Sequence, residues 1–372
     1  MHFYESPHVH GVSPRYQHHQ PPPWRIALTA NLKSNFVRQE DAPPDAGAEF
    51  DARETIDAIA TALEADGHTV YYCPADHTLP DALLDIQPDI CFNIAEGVGG
   101  DAREAQVPAL CELLNIPYTA SRVLANAISL DKTQTKRIWQ SLGLPTAHFQ
   151  EFYTGNEPLS AYLHFPLFVK PAREGTGMGM GLDSIVTNET ELRKRVQWVI
   201  ETYQQPALVE EYLTGREFTV GFIGNPGTQR PFPYNPDGYY FFPILELSTK
   251  NSVTPGVYGY DAKSRDLDEV GAPDYLCPAD IPSNLRHRLY TLTRQAAQAI
   301  GVCDVSRVDF RMGADGEPYL LEINTLPGLN PAVSDLCIVA RADDIPYQTL
   351  IREILYLAAE RFGMMMPEMA LA

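Results

Sequence analysis

The chain has 372 residues, 44% of them hydrophobic, and a formal net charge of −20. That content buries a sizeable core, and the length calls for two or three domains rather than one. The acidic balance argues against general binding to nucleic-acid backbones or anionic membranes, although an anionic ligand needs only a few local cations, and no apolar run is long enough to span a bilayer.

Residues 1–23 read as a disordered tail, because His2, His8, His10, His18 and His19 precede Pro21-Pro22-Pro23 with little to bury. Metal binding by these histidines is the lesser reading, and the tail lacks the apolar segment of a secretory signal. Trp24 to Leu28 predicts a first strand, and a polar stretch from Arg38 to Asp51 follows. Ala52 to Ala65 has helical spacing, with Ile56, Ile59, Ala60 and Leu63 on one face and Gly67 as the stop. Thr69 to Tyr72 and Asp89 to Phe92 are strands, and Gln106 to Leu114 is a helix. This β–α–β alternation implies a parallel, doubly wound sheet. The turn from Glu96 to Asp101 lies just past the third strand, where such folds bind ligands.

The middle section opens with a helix from Ser129 to Leu142, stopped by Gly143 and Pro145. A strand over Phe165 to Lys170, a glycine-dense loop, a short strand over Ser184 to Val186 and a helix over Glu189 to Thr202 come next. Ala207 to Tyr212 and Glu217 to Phe222 are strands, so the section reads as a small mixed α+β unit. The remainder predicts strands at Phe241 to Glu246, Asp304 to Arg311 and Tyr319 to Ile323, with helices at Pro282 to Ile300 and Pro346 to Phe362. Asn251 to Cys277 is a long Gly- and Pro-punctuated stretch, of the kind that forms lids or stays disordered. Cys73, Cys91, Cys111, Cys277, Cys303 and Cys337 are scattered without a CxxC pair, which suits reduced thiols in a cytoplasm.

The richest chemistry lies in Arg307-Val308-Asp309-Phe310-Arg311 and Tyr319-Leu320-Leu321-Glu322-Ile323-Asn324, joined through Asp315-Gly316 as a hairpin. Residues two apart share a strand face. Strict alternation therefore puts Leu320, Glu322 and Asn324 together, opposite an apolar face of Val308, Phe310, Leu321 and Ile323. Pairing brings Asp309, Glu322 and Asn324 onto one face, a hard-oxygen set suited to Mg²⁺ and nucleotide phosphates. A solvated hairpin with ordinary ion pairs is the bland alternative, and the apolar opposite face speaks against it. The turn from Thr325 to Pro331 leaves backbone N–H groups to face an oxyanion, with Arg307 beside them. By itself it would be a plain turn.

Lys170-Pro171-Ala172-Arg173-Glu174-Gly175-Thr176-Gly177-Met178-Gly179-Met180-Gly181 is neither a Walker A nor a dinucleotide fingerprint. It reads as a flap over phosphates, in competition with a flexible hairpin. Val209 to Leu213, followed by Glu217, is a strand leading to a hinge that could seat an adenine, though from spacing alone it is only an acidic strand end.

Together these segments resemble the ATP-grasp superfamily, and within it the D-alanine–D-alanine ligases. The similarity runs from about Ile90 to the last helix. It is carried by Ile116 to Ser121, Asp131-Lys132, Lys170 to Gly175, Arg216 to Val220, Asp261-Ala262-Lys263 and Glu322 to Gly328. The resemblance implies an α/β and α+β chain, an ATP-grasp fold behind a doubly wound pre-ATP-grasp domain. The divisions expected are 24–128 for the N-terminal domain, 129–214 for the central subdomain and 215–372 for the C-terminal subdomain. It implies ATP held by Lys132, Lys170, the loop residues Glu174, Gly175, Thr176 and Gly177, and Lys263 from a closing loop. Glu210, Glu211 and Leu213 would hold the adenine and Glu217 the ribose. Asp309, Glu322 and Asn324 would bind two Mg²⁺ ions, with Mn²⁺ able to substitute, while Arg307 and the Gly328 amide hold an oxyanion. Glu96, Asp101 and Ser334 fall on the substrate side. The partners implied are a carboxylate donor and an amino-acid acceptor, joined through an acyl phosphate, in a homodimer by family analogy.

The departures concern the donor. The family's Gly-Gly-x-Ser-x-Glu motif, whose glutamate binds the first amine, is replaced by Thr29-Ala30-Asn31-Leu32-Lys33-Ser34-Asn35-Phe36. Its His-Gly turn is Glu96-Gly97, and the tyrosine after the loop lysine is Ser264. Retained chemistry on a donor other than D-alanine is the resulting expectation, with Lys33 or Arg103 recognising an acidic group. Secondary metabolism, such as amino-acid conjugation of a mycosporine core, is one setting for such ligases. An authentic D-alanine–D-alanine ligase is the alternative. A catalytically silent nucleotide-binding regulator is another, against which the intact Arg307, Asp309, Glu322 and Asn324 weigh.

Overall fold

The computed structural model describes residues 23–365, apart from Gln39, Asp41, Pro231, Ser264, Asp266, Leu267 and Asp268. The expectations for residues 1–22 and Ser264 lie outside them. Helices and strands alternate at first: β1 (Arg25–Ala30), α1 (Arg53–Ala65), β2 (Thr69–Pro74), α2 (Leu79–Ile86), β3 (Ile90–Asn93) and α3 (Gln106–Leu114). The strands form a parallel sheet in the order β2-β1-β3. Every residue of β1 after Arg25 is buried, as expected for a strand covered on both faces. Ile26 and Leu28 pack towards Ile56, Ile59 and Leu63 of α1. Ala27 and Cys91 pack the other way, towards Leu79, Leu83, Val107 and Cys111 of α2 and α3. The sheet is thus doubly wound. The short α2 was not anticipated, since eight residues with a proline in the first turn show little periodicity.

The next elements are α4 (Val123–Leu130), α5 (Lys132–Ser141), β4 (Phe149–Phe152), β5 (Leu167–Pro171), β6 (Ile185–Val186), α6 (Glu189–Tyr203) and β7 (Ala207–Glu211). The single helix expected over Ser129 to Leu142 is two helices. Asp131 is extended (ψ 95°) and its carboxylate accepts the Gln134 N–H at 2.9 Å, which starts α5 afresh. A chain division at Ser129 would cut α4. The strands pair antiparallel in the order β4-β7-β5-β6.

The last group is β8 (Glu217–Gly224), β9 (Tyr239–Phe241), β10 (Leu245–Ser248), α7 (Tyr260–Lys263), β11 (Asp274–Leu276), α8 (Ser283–Ile300), β12 (Val305–Met312), β13 (Pro318–Asn324), α9 (Asp335–Ala342) and α10 (Tyr347–Arg361). Its sheet runs β11-β10-β8-β12-β13, with β9 also on β8. The strand expected over Phe241 to Glu246 is broken between β9 and β10, where Pro243 has no N–H to give a ladder. The long stretch after Asn251 holds α7 and β11.

The ladder of β12 and β13 is not the regular one that strict alternation presumes. Arg307 pairs with Asn324 and Asp309 with Glu322, but Phe310 then pairs with Leu320. This bulge leaves Leu321 as the extra residue and shifts the alternation by one. Leu320, not Leu321, joins Val308, Phe310 and Ile323 in the core.

Helix α10 packs against both α1 and β8, so its Ile351, Ile354 and Leu355 share a core with Trp24 and Ile26. At its end the Arg361 guanidinium donates to Asp304 at 2.7 and 3.1 Å and to the carbonyls of Tyr118 and Ala120 at 2.9 Å each. Asp304 is fully buried. Removing one partner of a buried pair strands the other charge. Arg361→Ala should therefore lower unfolding stability by about 3–5 kcal/mol, read as a shifted urea midpoint. A midpoint unchanged from the parent would contradict this role.

Candidate active site

The hairpin β12–β13 sets Asp309 opposite Glu322 above an apolar underside. Arg307 donates to Asp309 Oδ2 at 3.0 Å and to Asp335 Oδ2 at 2.7 Å. Its Nε has no partner among the described residues. Burial disfavours the guanidinium charge, but Asp309 and Asp335 outweigh it and raise the pKa. Asp335, in the first turn of α9, was not foreseen from the sequence. Its one local signal is a position straight after Ser334, in a helix start. Thr219 donates to the other Asp309 oxygen at 2.7 Å. Burial raises the Asp309 pKa against the pull of Arg307. Glu322 is half-buried, and although desolvation works against its charge, Lys132, Lys263 and Lys170 hold its pKa below the usual carboxylate range. Lys132 Nζ lies 3.3 Å from it.

Lys170, near the end of β5, lies 2.6 Å from Glu210 Oε1, and Lys136 of α5 lies 2.8 Å from Oε2. Burial works against the Glu210 charge, but the two lysines hold its pKa down to about 2. The Glu210 side chain is therefore committed to the lysines. Lys136, wholly buried, was another residue that spacing did not reveal. Beside this trio lies a slot lined by Phe168, Glu211, Tyr212, Leu213, Glu217, Arg311 and Leu321. The Phe168 and Tyr212 rings are stacked 6.0 Å apart, and Arg311 sits over Tyr212 at 5.1 Å. A flat aromatic base flanked by Lys170 at one side and Glu217 at another suits a planar heterocycle on a sugar phosphate.

The glycine loop is pinned from two directions. Gly175 N–H donates to Glu49 Oε1 at 2.6 Å, and Gly179 N–H to Asp45 Oδ2 at 2.8 Å. Gly177 has φ +70° and lies against the backbone of Gly259 and Tyr260, where no Cβ would fit. Tyr260 N–H donates to the Gly177 carbonyl at 3.1 Å. Lys132 Nζ donates to the Glu174 carbonyl.

Arg307, Asn324, Gly328, Ser334, Lys263, Thr176 and Glu96 share a cleft with Glu49, Asp51 and Asp335. Next to it, Lys132, Glu174, Gly175, Glu322 and Asn324 line a cavity with Glu49, Glu96 and Glu104. Asp101 lies apart: its side chain is 84% exposed and ion-paired with Arg173 at 3.0 Å. Arg103 is also unlike the expectation. Its guanidinium donates to Glu49 at 2.6 Å, Glu174 at 3.1 Å and the Arg173 carbonyl at 2.8 Å, so it has little left for an acidic substrate. Lys33 is exposed and lines neither cleft. Asp309, Glu322 and Asn324 offer hard oxygens beside Lys132, Lys170 and Lys263, a set that would hold a divalent cation, although Asn324 Oδ1 also accepts the Leu326 N–H at 3.1 Å.

Residues 138–356 match the family model described as D-ala D-ala ligase C-terminus. The chain is 32% identical to the D-alanine–D-alanine ligase of Aquifex aeolicus over 81% of this chain and 94% of that one. It is 31% identical to an uncharacterized protein of Sinorhizobium fredii over 91% of this chain and 98% of that one. A crystal structure of the D-alanine–D-alanine ligase from Bacillus anthracis complexed with ATP shares the fold, with a TM-score of 0.66 at 22% identity, over 91% of this chain and 99% of that one.

Burial pushes the Asp51 carboxyl up to about 7. In the unfolded chain it titrates near its ordinary value of about 4. Between those values the folded state holds the extra proton, so the stability from this group is full below about pH 4 and is lost as pH rises through about 7. Asp51→Asn cannot titrate, so its stability relative to the parent should rise from pH 5 to pH 8 by about 2–3 kcal/mol. Calorimetric melting of the ligand-free protein measures this, and a constant difference over that range would contradict it.

Proposed function

The chain belongs to the D-alanine–D-alanine ligase family of ATP-dependent carbon–nitrogen ligases, and from that premise we propose that it joins a small amino acid to a carboxylate donor other than D-alanine. The observation that carries the ligase reading is Arg307, fixed between Asp309 and Asp335 at the edge of a cleft that it shares with Gly328. The altered donor comes from the end of β1. The Asn31 amide there is spent on the Ala75 carbonyl and the Gly97 N–H, at 2.9 and 2.8 Å. No carboxylate enters the cleft from that segment.

In this reading Lys132, Lys170 and Lys263 offset polyphosphate charge, and the aromatic slot takes the adenine with Glu217 at the ribose. Asp309, Glu322 and Asn324 hold Mg²⁺, two ions in all, with Mn²⁺ as a substitute. When bound, Mg²⁺ draws charge from the phosphate oxygens. The donor carboxylate takes the terminal phosphoryl group, giving an acyl phosphate and ADP. The acceptor amine then adds to the acyl carbon, phosphate leaves, and the nitrogen gives up a proton. Arg307 and the Gly328 N–H face the oxygen that becomes negative as the amine adds. Asp335 fixes the Arg307 guanidinium from behind. Ser334, whose Oγ accepts the Asn330 N–H at 2.9 Å, borders the acceptor side. A homodimer, as in the family, and a setting in secondary metabolism belong to the same proposal.

The named relatives favour D-alanine–D-alanine ligation as a second reading. ADP release with D-alanine as the sole substrate separates the two, since robust turnover at millimolar D-alanine would sink the altered-donor proposal. Glu322→Gln should abolish turnover on any accepted substrate pair while the circular dichroism stays that of the parent. Near-parent activity would remove Glu322 from the metal set. Asp335→Ala frees Arg307 from one of its two anchors and should lower kcat by about 10–100-fold. An unchanged kcat would show that Asp309 alone fixes the guanidinium.

A further inference from the structure

We infer that Lys136 is a positioning residue for the nucleotide: by sharing the charge of Glu210 it leaves Lys170 a surplus positive charge for the phosphates, while Lys136 itself touches no ligand. This rests on the ligase reading above and concerns how that site holds its nucleotide.

Lys136 lies in α5 and is wholly buried. An ammonium has three N–H donors. Three oxygens surround this one: Glu210 Oε2 at 2.8 Å, the Thr146 hydroxyl at 2.6 Å and the Leu320 carbonyl at 3.4 Å. One oxygen for each donor leaves none for a ligand. Lys136 also lines neither the aromatic slot nor the two cavities beside it.

Its position is fixed from several sides. The Thr146 hydroxyl donates to the same Leu320 carbonyl at 2.8 Å, and the Leu320 N–H donates to the Pro145 carbonyl at 2.9 Å. Lys132 and Lys136 are one turn apart on α5 and share a face. Lys132 reaches Glu322, and Lys136 reaches the Leu320 carbonyl. The two lysines thus bracket Leu321, the residue that the bulge adds to β13. Lys136 cannot swing out of this frame without stranding the charge of Glu210.

The charges then decide what the trio offers. Both lysines hold the Glu210 carboxyl ionised. Lys170 alone, 2.6 Å from Glu210 Oε1, would make a neutral pair with little net field for a phosphate. With Lys136 on the other oxygen, two cations surround one anion, and the group keeps one positive charge. Burial disfavours the Lys136 ammonium, and the Glu210 carboxylate favours it. Lys136 is enclosed, whereas Lys170 lines the slot, so the surplus is presented at Lys170. Away from bulk water, a charge one side chain behind the site still acts strongly on it.

Calorimetric titration of the full-length protein with ADP and with adenosine, both in the presence of Mg²⁺, separates phosphates from base. The ratio of the two dissociation constants cancels changes confined to the base slot. The parent should prefer ADP, and Lys136→Met should cut that preference about ten-fold. Lys136→Met combined with Glu210→Gln should restore most of it, because Lys170 is then again a cation without an opposing carboxylate. A merely structural role predicts no such recovery. A preference unmoved in Lys136→Met, or a double variant no better than the single one, would overturn the inference and leave the ligase reading standing. A parent that binds neither ligand, or both equally, would overturn both. Should Lys136→Met not fold, Glu210→Gln decides alone. Removing the anion should strengthen the preference for ADP, and an equal or weaker one would overturn the inference.

Discussion

Between Asp309 and Phe310 the ladder of β12 and β13 gains one residue, and that residue lets a single strand serve two clefts. Without it, Leu321 would point into the core, as strict alternation requires. With it, Leu320 and Ile323 keep the core while Leu321 lines the aromatic slot. Glu322 and Asn324 line the cavities alongside. The slot and the oxygen set are therefore neighbours because of a backbone irregularity of one residue.

Around that strand, buried charge is kept in compensated groups. Glu210 lies between two lysines, Arg307 between two aspartates, and Glu322 beside Lys132. Each group satisfies the rule that a buried charge is stable only with its partners present. Each also holds its side chains in place before any ligand arrives, which is how a site contributes through positioning. Arg361 and Asp304 apply the same device to structure, tying the last helix to the segment after α3.

Much of this was legible in the residues. The doubly wound sheet follows from the β–α–β order, and the Asp309–Glu322 pairing from a hairpin whose turn is local. What was not legible depends on partners far along the chain. Asp335 and Lys136 carry no motif, and their roles arise only when α9 and α5 close on β12 and β7. The bulge was invisible because alternation presumes an unbroken ladder. Arg103 looked free in sequence, but Glu49 and Glu174 reach it from 54 and 71 residues away. The polar stretch before α1 gave no sign that Asp45, Glu49 and Asp51 would each find a different task.

That stretch makes two parts of the molecule into one lever. Asp45 and Glu49 grip the amides of Gly179 and Gly175, and two residues on, Asp51 is fastened to the end of β1. The glycine loop cannot lift away from its cleft by much without breaking both grips or dragging the neighbouring wall along. The loop and the neighbouring wall are thus tied together through seven residues of chain, from Asp45 to Asp51.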